Sequence, residues 1–356
     1  MQSVFIAGRE IGAGRAPYIV AELSGNHQGS LDRALKLLEE AATCGADAVK
    51  LQTFTADTIT IAHDGPGFVV RGGLWDGRTL HDLYQEAHTP YEWHAALFAR
   101  GRELGVTVFS TPFDETAVDL LESLDAPAYK IASFEAIDLP LIARAARTGK
   151  PLIISTGMAS ETEIAEAAAC ARAHGAGGLI LLHCVSTYPA RYEAANLATI
   201  ADLASRFGAV AGLSDHTPGT AASVAATALG AAFIEKHFCM SRAEGGVDSA
   251  FSLEPAELRA LVSDCRNAHA AVGRVDYTRS PAEQENRQFR RSLYAVAPIA
   301  AGEIFTSENV RSIRPGFGLV PKHIDAVLGA RATRAIAFGE PLAWDMIAAV
   351  DLKRTA

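Results

Sequence analysis

The sequence predicts an α/β protein, a (β/α)8 TIM barrel followed by a small second domain. Eight short apolar segments recur between residues 17 and 272, each ends in polar residues, and each is followed by a stretch with helical spacing. The chain has 356 residues, of which 49% are hydrophobic. That length accommodates a barrel of about 250 residues and a second, smaller unit.

The eight apolar segments are the predicted strands of the barrel. Each is apolar almost throughout, which is typical of strands that helices cover on both faces. In chain order they are IVAEL (19–23), AVKLQT (48–53), VTVFST (106–111), AYKIAS (128–133), PLIIST (151–156), LILLHCVS (179–186), AVAGLSD (209–215) and AFIEKHF (232–238). An open, doubly wound sheet is the alternative, but it gives no reason for the pattern to stop at eight.

The segments between the strands carry helix signals. After Ser30, leucine and alanine recur at intervals of three and four residues. Ser160 and Glu163 form a capping box ahead of another apolar periodic stretch. These signals predict helices that begin next to Ser30 and Ser160.

Two segments interrupt the repeat. A long excursion over residues 54–89 follows the second predicted strand. Loops of that length in a compact domain are usually functional, so we expect this one to close over the ligand, with Trp75 and Tyr84 covering it. Past residue 272 the pattern changes, which predicts a barrel domain over 1–275, a linker over 276–291 and a small domain over 292–356.

Composition excludes several classes of protein. A net charge of −9 leaves no basic excess with which to bind nucleic acid. Five scattered cysteines without C-x-x-C spacing indicate neither a zinc ribbon nor a disulfide framework, and a reducing compartment suits them. No apolar run is long enough to cross a bilayer. We therefore expect a cytoplasmic protein with no nucleic-acid or membrane partner.

Polar side chains follow the predicted strands at their carboxyl ends, where barrel enzymes carry their active sites. Because side chains alternate along a strand, residues two apart point into the barrel mouth together. Three polar pairs are expected to point into the mouth in this way: Lys50 with Gln52, Ser214 with His216, and Glu235 with His237.

The two histidines on the last two predicted strands have two interpretations. Each could be a hydrogen-bonded core residue, as is His183 by our interpretation. Alternatively His216 and His237 converge on one divalent cation that acts as a Lewis acid, with coordination positions left open. The matching positions on adjacent strands favour the second interpretation. The absence of a third fixed ligand argues against structural zinc.

Two lysines, Lys50 and Lys130, lie within or at the end of predicted strands. Internal ion pairs would explain them, and five acidic residues could serve: Glu22, Glu135, Asp215, Glu235 and Asp248. Small hydroxyl residues at further strand ends favour an anion site instead: Thr111, Ser133, Ser186 and Ser214. The predicted ligand is an anionic small metabolite.

Ordered motifs along the barrel resemble the sialic acid synthase family: SGNHQGSL (24–31), VKLQTF (49–54), STPFD (110–114), YKIAS (129–133), STGM (155–158), HCVSTYP (183–189), GLSDHT (212–217) and EKHF (235–238). The closing segment, with IRPGFG at 313–318, is similar to that family's antifreeze-like (SAF) domain. Within the family, residues 72–94 are most similar to the pseudaminic acid synthases. The resemblance therefore covers nearly the whole chain.

The resemblance implies a reaction and assigns roles. Phosphoenolpyruvate would condense with the open-chain aldehyde of 2,4-diacetamido-2,4,6-trideoxy-L-altrose, a 6-deoxy diacetamido hexose, giving pseudaminic acid and phosphate. His216 and His237 would bind Mn²⁺ or Mg²⁺, which would polarise the aldehyde. The phosphate would be held by Lys50, Thr111, Ser133 and Ser214, with Ser186 at a position where neuraminic acid synthases often have asparagine. Lys130 would lie near the carboxylate.

The sugar side is implied in the same way. It would be lined by Glu22, Gln52, Glu135, Asp248 and Tyr188, with Glu135 as acid or base and Glu22 as a sugar ligand. Arg290 stands where neuraminic acid synthases tend to have an aromatic residue. Arg314 matches an arginine that reaches into the partner subunit's barrel, so a domain-swapped homodimer is expected.

Several other functions remain open at this point. Legionaminic and N-acetylneuraminic acid synthases share the barrel motifs. A metal-dependent aldolase or hydrolase could use the same barrel, since a fold alone settles no chemistry. A carbohydrate-binding protein without catalysis would leave the histidines and lysines unexplained.

Overall fold

A computed structural model describes residues 3–348 and divides the chain into two compact units, which meet in sequence between Gly273 and Arg274. This boundary lies beside residue 275, the predicted end of the barrel domain. Residues 1–2 and 349–356, which belong to the two predicted domains, lie outside the described residues.

The chain begins with an antiparallel hairpin that the sequence analysis did not predict. Its strands are β1 (Ser3–Ile6) and β2 (Arg9–Gly12). Val4, Ile6 and Ile11 are buried against side chains from the amino ends of the barrel strands, such as Tyr18 and Phe233. The hairpin therefore packs against the end of the barrel interior opposite the carboxyl ends of the strands.

Eight parallel strands close into a barrel, which confirms the predicted fold class and excludes the open sheet. In chain order they are β3 (Tyr18–Glu22), β4 (Ala48–Thr53), β5 (Thr107–Pro112), β6 (Tyr129–Ile131), β7 (Leu152–Ser155), β8 (Leu179–Cys184), β9 (Val210–Asp215) and β10 (Phe233–His237). The last strand pairs in parallel with β3, so the sheet has no free edge.

Helices surround the barrel and pack their apolar faces on its outer surface. They are α1 (Leu31–Thr43), α4 (His94–Leu104), α5 (Glu115–Ser123), α6 (Leu139–Ala146), α7 (Glu161–Ala173), α8 (Thr199–Phe207), α9 (Ala221–Ala228) and α10 (Pro255–Val272). Two further helices, α2 (Ala56–Ile59) and α3 (Leu80–Ala87), lie in the excursion between β4 and α4. Ser30 caps α1, and Ser160 with Glu163 forms the capping box of α7. Both predicted helix starts are confirmed.

The excursion between β4 and α4 is anchored at its carboxyl end. The side chain of Thr89 lies 3.3 Å from His27 Nε2 and is buried. A Cβ atom at Gly25 would lie 3.0 Å from the Cα atom of Ala87, so glycine is what allows α3 to approach this closely. The end of the excursion is thus fixed against the loop that follows β3.

The second unit has its own small apolar core, to which Leu293, Phe305, Val327 and Ile336 contribute. Its regular elements are α11 (Pro281–Glu285), β11 (Ser292–Ala295), β12 (Val310–Ile313) and α12 (Ile324–Val327), with β11 and β12 antiparallel. Across residues 3–348, no helix is both long and apolar enough to cross a bilayer.

Candidate active site

A buried ion network lies at the carboxyl ends of β3 and β4. Lys50 Nζ is 2.6 Å from Glu22 Oε2 and donates a hydrogen bond of 3.1 Å to Thr111 Oγ1. Gln52 Nε2 donates to Glu22 Oε1 at 2.8 Å, and both ionic side chains are at most 4% exposed. The strand alternation therefore brings the predicted residues of β3, β4 and β5 together on the inside of the barrel.

Glu235 on β10 connects both lysines. Its Oε1 atom lies 3.8 Å from Lys50 Nζ and 3.8 Å from Lys130 Nζ, and accepts a hydrogen bond of 3.3 Å from Ser214 Oγ. The other oxygen, Oε2, is buried and has no hydrogen-bond partner within residues 3–348. One carboxylate thus faces two ammonium groups, one of which is also paired with Glu22. The two lysines and the two glutamates balance in charge, and Lys130 has no carboxylate closer than 3.8 Å among the described residues.

The lysines have different proton affinities. Burial lowers the pKa of Lys50, but Glu22 and Glu235 outweigh it and leave the pKa above its ordinary value. Burial dominates at Lys130 and lowers its pKa, although Glu235 opposes the shift. Lys50 therefore stays protonated. A bound anion would favour the protonated form of Lys130 as well.

A second buried ion pair faces away from the barrel interior. Lys236 Nζ lies 2.8 Å from Asp215 Oδ2, and that oxygen also accepts a hydrogen bond of 2.6 Å from Ser223 Oγ on α9. Asp215 was one of five acidic residues considered as partners for Lys50 and Lys130. It has a different partner because residues 215 and 236 have the opposite alternation phase from 214 and 235.

Three small residues form a compact polar surface at the ends of β6, β7 and β8. The backbone N–H of Gly157 donates a hydrogen bond of 3.2 Å to Ser133 Oγ. A Cβ atom at position 157 would lie 2.2 Å from Ser186 Oγ and 2.7 Å from Ser133 Oγ. Two predicted anion-binding hydroxyls therefore converge on a position that only glycine leaves open.

His216 and His237 lie side by side, with ring centroids 5.3 Å apart. His216 Nδ1 is 3.0 Å from the Val185 carbonyl oxygen, so Nδ1 carries a proton and in the neutral ring Nε2 keeps its lone pair. His237 Nδ1 is buried and has no hydrogen-bond partner among the described residues. Burial, and then His216, hold the pKa of His237 well below its ordinary value, which keeps this ring neutral.

The unpartnered nitrogen of the neutral His237 fits a metal ion, which requires deprotonated ligands. Burial lowers the pKa of His216, but its contacts with Cys184 outweigh burial and leave that pKa above its ordinary value, so His216 would give up a proton when it binds a cation. Asp248 Oδ2 lies 3.9 Å from His237 Nδ1. Across residues 3–348 no cluster of three or more His, Cys, Asp and Glu residues has metal-binding geometry. The two-histidine metal site stays a prediction.

The predicted sugar-side carboxylates are partly or fully buried. Asp248 accepts a hydrogen bond from Ser24 Oγ, and burial raises the pKa of Asp248. Glu135 follows β6; its Oε2 atom is buried and has no partner within the described residues. Burial raises the pKa of Glu135 to about 7. A carboxyl group with that pKa can exchange protons near neutral pH.

Aromatic rings line the same end of the barrel. The Tyr188 ring centroid is 4.5 Å from that of His216 and 5.2 Å from that of Phe251. Trp75, from the excursion, lies 5.7 Å from Tyr188. Tyr84 instead packs edge-on against Phe54 at 5.8 Å. Whether the excursion moves on ligand binding stays a prediction.

Arg314 directly follows β12 in the second unit, and its side chain is exposed. Its predicted role in a partner subunit's barrel stays a prediction. His183 Nε2 lies 2.6 Å from the Ala195 carbonyl oxygen, which agrees with a structural role for this residue.

Four residues of the site were absent from the predicted set. Glu235 was expected in the barrel mouth with His237 and as a possible ion-pair partner, but it was assigned no role in binding or catalysis. Ser24 and Gly157 lie inside motifs that were noted for resemblance alone. Phe251 has no sequence signal, since its position depends on the loop after β10.

Comparisons with known proteins agree with this arrangement. Residues 37–277 match the NeuB family and residues 290–348 match the SAF domain. The chain is 44% identical over 325 residues to the pseudaminic acid synthase of Campylobacter jejuni, covering 91% of this chain and 95% of that protein. It is 43% identical over 332 residues to the pseudaminic acid synthase of Helicobacter pylori, covering 93% and 98%.

A solved structure is similar as well. It is the N-acetylneuraminic acid (sialic acid) synthetase of Leptospira borgpetersenii, with a TM-score of 0.71 and 31% identity over 80% of this chain and 95% of that one. The family match covers more than half of the chain, and both pseudaminic acid synthases match over nearly their full length. The chain therefore belongs to the NeuB family and carries a SAF domain after its barrel.

Proposed function

We propose that this protein condenses phosphoenolpyruvate with 2,4-diacetamido-2,4,6-trideoxy-L-altrose to give pseudaminic acid and phosphate. The observation that carries the proposal is the buried cluster of Lys50, Lys130 and Glu235 at the mouth that also holds the adjacent His216 and His237 rings. The similarity to two pseudaminic acid synthases supports the choice of acceptor.

Phosphoenolpyruvate would bind on the lysine side. Lys50, Thr111, Ser133, Ser186 and Ser214 supply donors for its phosphate, and Lys130 faces its carboxylate. Charge-assisted hydrogen bonds contribute about 1.5–3 kcal/mol each, so a few of them hold the ligand in one orientation. Glu22 and Glu235 balance the charges of Lys50 and Lys130 while the site is empty.

The acceptor would bind between the histidines and the carboxylates. His216 and His237 would hold Mn²⁺ or Mg²⁺, which when bound supplies a Lewis acid for the aldehyde oxygen. Glu22, Gln52, Asp248 and Tyr188 orient the sugar through its hydroxyl and acetamido groups. This places the aldehyde carbon close to the bound enolpyruvate.

The proposed reaction has three steps. Carbon 3 of phosphoenolpyruvate forms a bond to the aldehyde carbon, and the aldehyde oxygen takes up a proton from solvent. Water adds to carbon 2 and passes a proton to the ionised Glu135, which returns it to solvent. The bond between carbon 2 and the phosphate oxygen breaks, phosphate leaves with the electron pair, and the proton of the remaining hydroxyl passes to the departing phosphate as the ketone forms.

The second unit completes the proposal. Arg314 would enter the barrel mouth of a partner subunit, so the active form would be a domain-swapped homodimer. A cytoplasmic location fits the five free cysteines.

Phosphate release from phosphoenolpyruvate tests the proposed function. It should require both the altrose derivative and a divalent cation, and stop on chelation. N-acetylmannosamine and the 2,4-diacetamido precursor of legionaminic acid serve as comparison acceptors. Release without any sugar, or a higher kcat/KM with either comparison acceptor, would contradict the proposal.

A further inference from the structure

The excursion between β4 and α4 contacts the barrel mouth through Trp75. The indole Nε1 donates a hydrogen bond of 2.9 Å to the carbonyl oxygen of Val247. Val247 immediately precedes Asp248, whose carboxylate lies 3.9 Å from His237. The excursion is therefore attached to the loop that carries a predicted sugar-binding carboxylate.

Trp75 also extends a set of aromatic rings that starts at the histidines. Tyr188 lies 4.5 Å from His216, and Trp75 lies 5.7 Å from Tyr188. Phe251 lies 4.9 Å from His237 and 5.2 Å from Tyr188. We call Trp75, Tyr188 and Phe251 the aromatic wall.

The chemistry of Trp75 limits what can bind against it. An indole has one polar atom, a donor, and Val247 already occupies it. The ring is only half-buried, so part of it remains open to a ligand. A methyl group gains contact there, whereas a hydroxyl group loses a hydrogen bond to water that the indole cannot replace.

The order of the rings sets which part of an acceptor meets Trp75. An aldehyde at His216 and His237 places the start of an open six-carbon chain beside Tyr188 and Phe251. Trp75 is next to Tyr188, which in turn is next to His216. A later carbon of such a chain would therefore meet Trp75. The polar side chains Gln52 and Asp248 leave the acetamido and hydroxyl groups partners elsewhere in the mouth.

We propose that Trp75 is a specificity-determining residue, which selects acceptors that carry a methyl group instead of a hydroxymethyl group at carbon 6. This inference rests on the proposed function and adds a residue and a chemical basis to the choice of acceptor. Apolar sites reject an added hydroxyl by up to about a hundredfold, so a preference of about tenfold to a hundredfold in kcat/KM is expected.

The test compares the altrose derivative with its 6-hydroxy analogue, with phosphoenolpyruvate and Mn²⁺ saturating. Wild-type protein should prefer the deoxy acceptor, and Trp75→Ala should bring the ratio of kcat/KM values to within about threefold of unity, mainly by raising KM for the deoxy acceptor. Trp75→Phe keeps an apolar ring without the indole donor and should retain the preference. Trp344→Ala, a half-exposed tryptophan of the second unit, is the matched control.

The outcomes separate this inference from the proposed function. Equal use of both acceptors by the wild type would overturn the role of Trp75 and leave the synthase intact. Loss of the preference in Trp75→Phe would mean that the bond to Val247 sets it, which also overturns the inference. No turnover of either acceptor by the wild type would overturn the proposed function and this inference with it. Thermal unfolding of each variant identifies any that fail to fold.

Discussion

Lys50 on β4 and Glu22 on β3 form an ion pair of 2.6 Å with both side chains almost fully buried. A buried pair of this kind costs desolvation on both sides, and removal of one partner leaves an uncompensated charge. Its position next to Thr111 and Glu235 supports the proposed anion site.

Lys50→Met should abolish turnover and also destabilise the fold by about 3–5 kcal/mol, because the buried Glu22 would lose the partner that offsets its desolvation. The double variant Glu22→Gln/Lys50→Met should recover most of that stability but no activity. Chemical denaturation and phosphate release measure the two effects. Activity in the double variant would contradict the role of Lys50 in phosphate binding.

The outward pair of Asp215 and Lys236 is the matched control. Its members are as buried as Glu22 and Lys50, but they bond to α9 and to backbone. Lys236→Met should cost a similar 3–5 kcal/mol of stability and leave KM for phosphoenolpyruvate within about twofold at temperatures where the variant is folded. A large rise in that KM would mean that the two pairs are not separate in function.

Gly157→Ala should weaken phosphoenolpyruvate binding by about tenfold to a hundredfold, because the new methyl group displaces the Ser133 and Ser186 hydroxyls. Stability should change little, since hydroxyl groups can rotate away. Adding Ser186→Ala removes the closer of the two contacts and should restore part of the affinity. An unchanged KM for phosphoenolpyruvate in Gly157→Ala would contradict the placement of the phosphate.

Because the pKa of Glu135 is raised, we expect kcat/KM to depend on pH near neutrality. Its pKa of about 7 in the folded protein means that the ionised base appears as pH rises through 7, so kcat/KM should rise over that range. Glu135→Gln should lower activity and remove this rise of kcat/KM with pH. Any pH dependence that comes from ionisation of phosphoenolpyruvate itself should remain in both proteins. If kcat/KM of the variant still rises with pH near 7, the proton transfer belongs to another group.

The same pKa has a consequence for stability. Because folding raises the pKa of Glu135 from its ordinary 4.5, the folded state favours the protonated carboxyl. That contribution is present below about pH 4.5 and is lost as pH rises through 7. Glu135→Gln should therefore be more stable relative to wild type at pH 8 than at pH 5, by up to about 3 kcal/mol in urea unfolding. An equal difference at both pH values would contradict the raised pKa.

The barrel could be predicted because its signals are local. Continuous apolar runs mark buried parallel strands, and the period of two places Lys50 with Gln52 and Glu235 with His237 on one face. The capping residues Ser30 and Ser160 act within one turn of their helices. The position of a strand end in a closed barrel then determines which side chains meet.

What the sequence could not give depends on contacts between distant segments. The pairing of Asp215 with Lys236 needs the position of Ser223 on α9. Phe251 and Trp75 meet Tyr188 only through loops whose paths follow from packing and not from periodicity. The hairpin of β1 and β2 was missed because its strands have only four residues each and lack a strong apolar pattern.

Titration of the metal-free protein with Mn²⁺, followed by electron paramagnetic resonance in the presence of phosphoenolpyruvate, tests the central claim most directly. We predict one tightly bound ion per chain in the wild type, and loss of that ion in both His216→Ala and His237→Ala, with thermal unfolding close to wild type. Full Mn²⁺ binding in both folded variants would contradict the account.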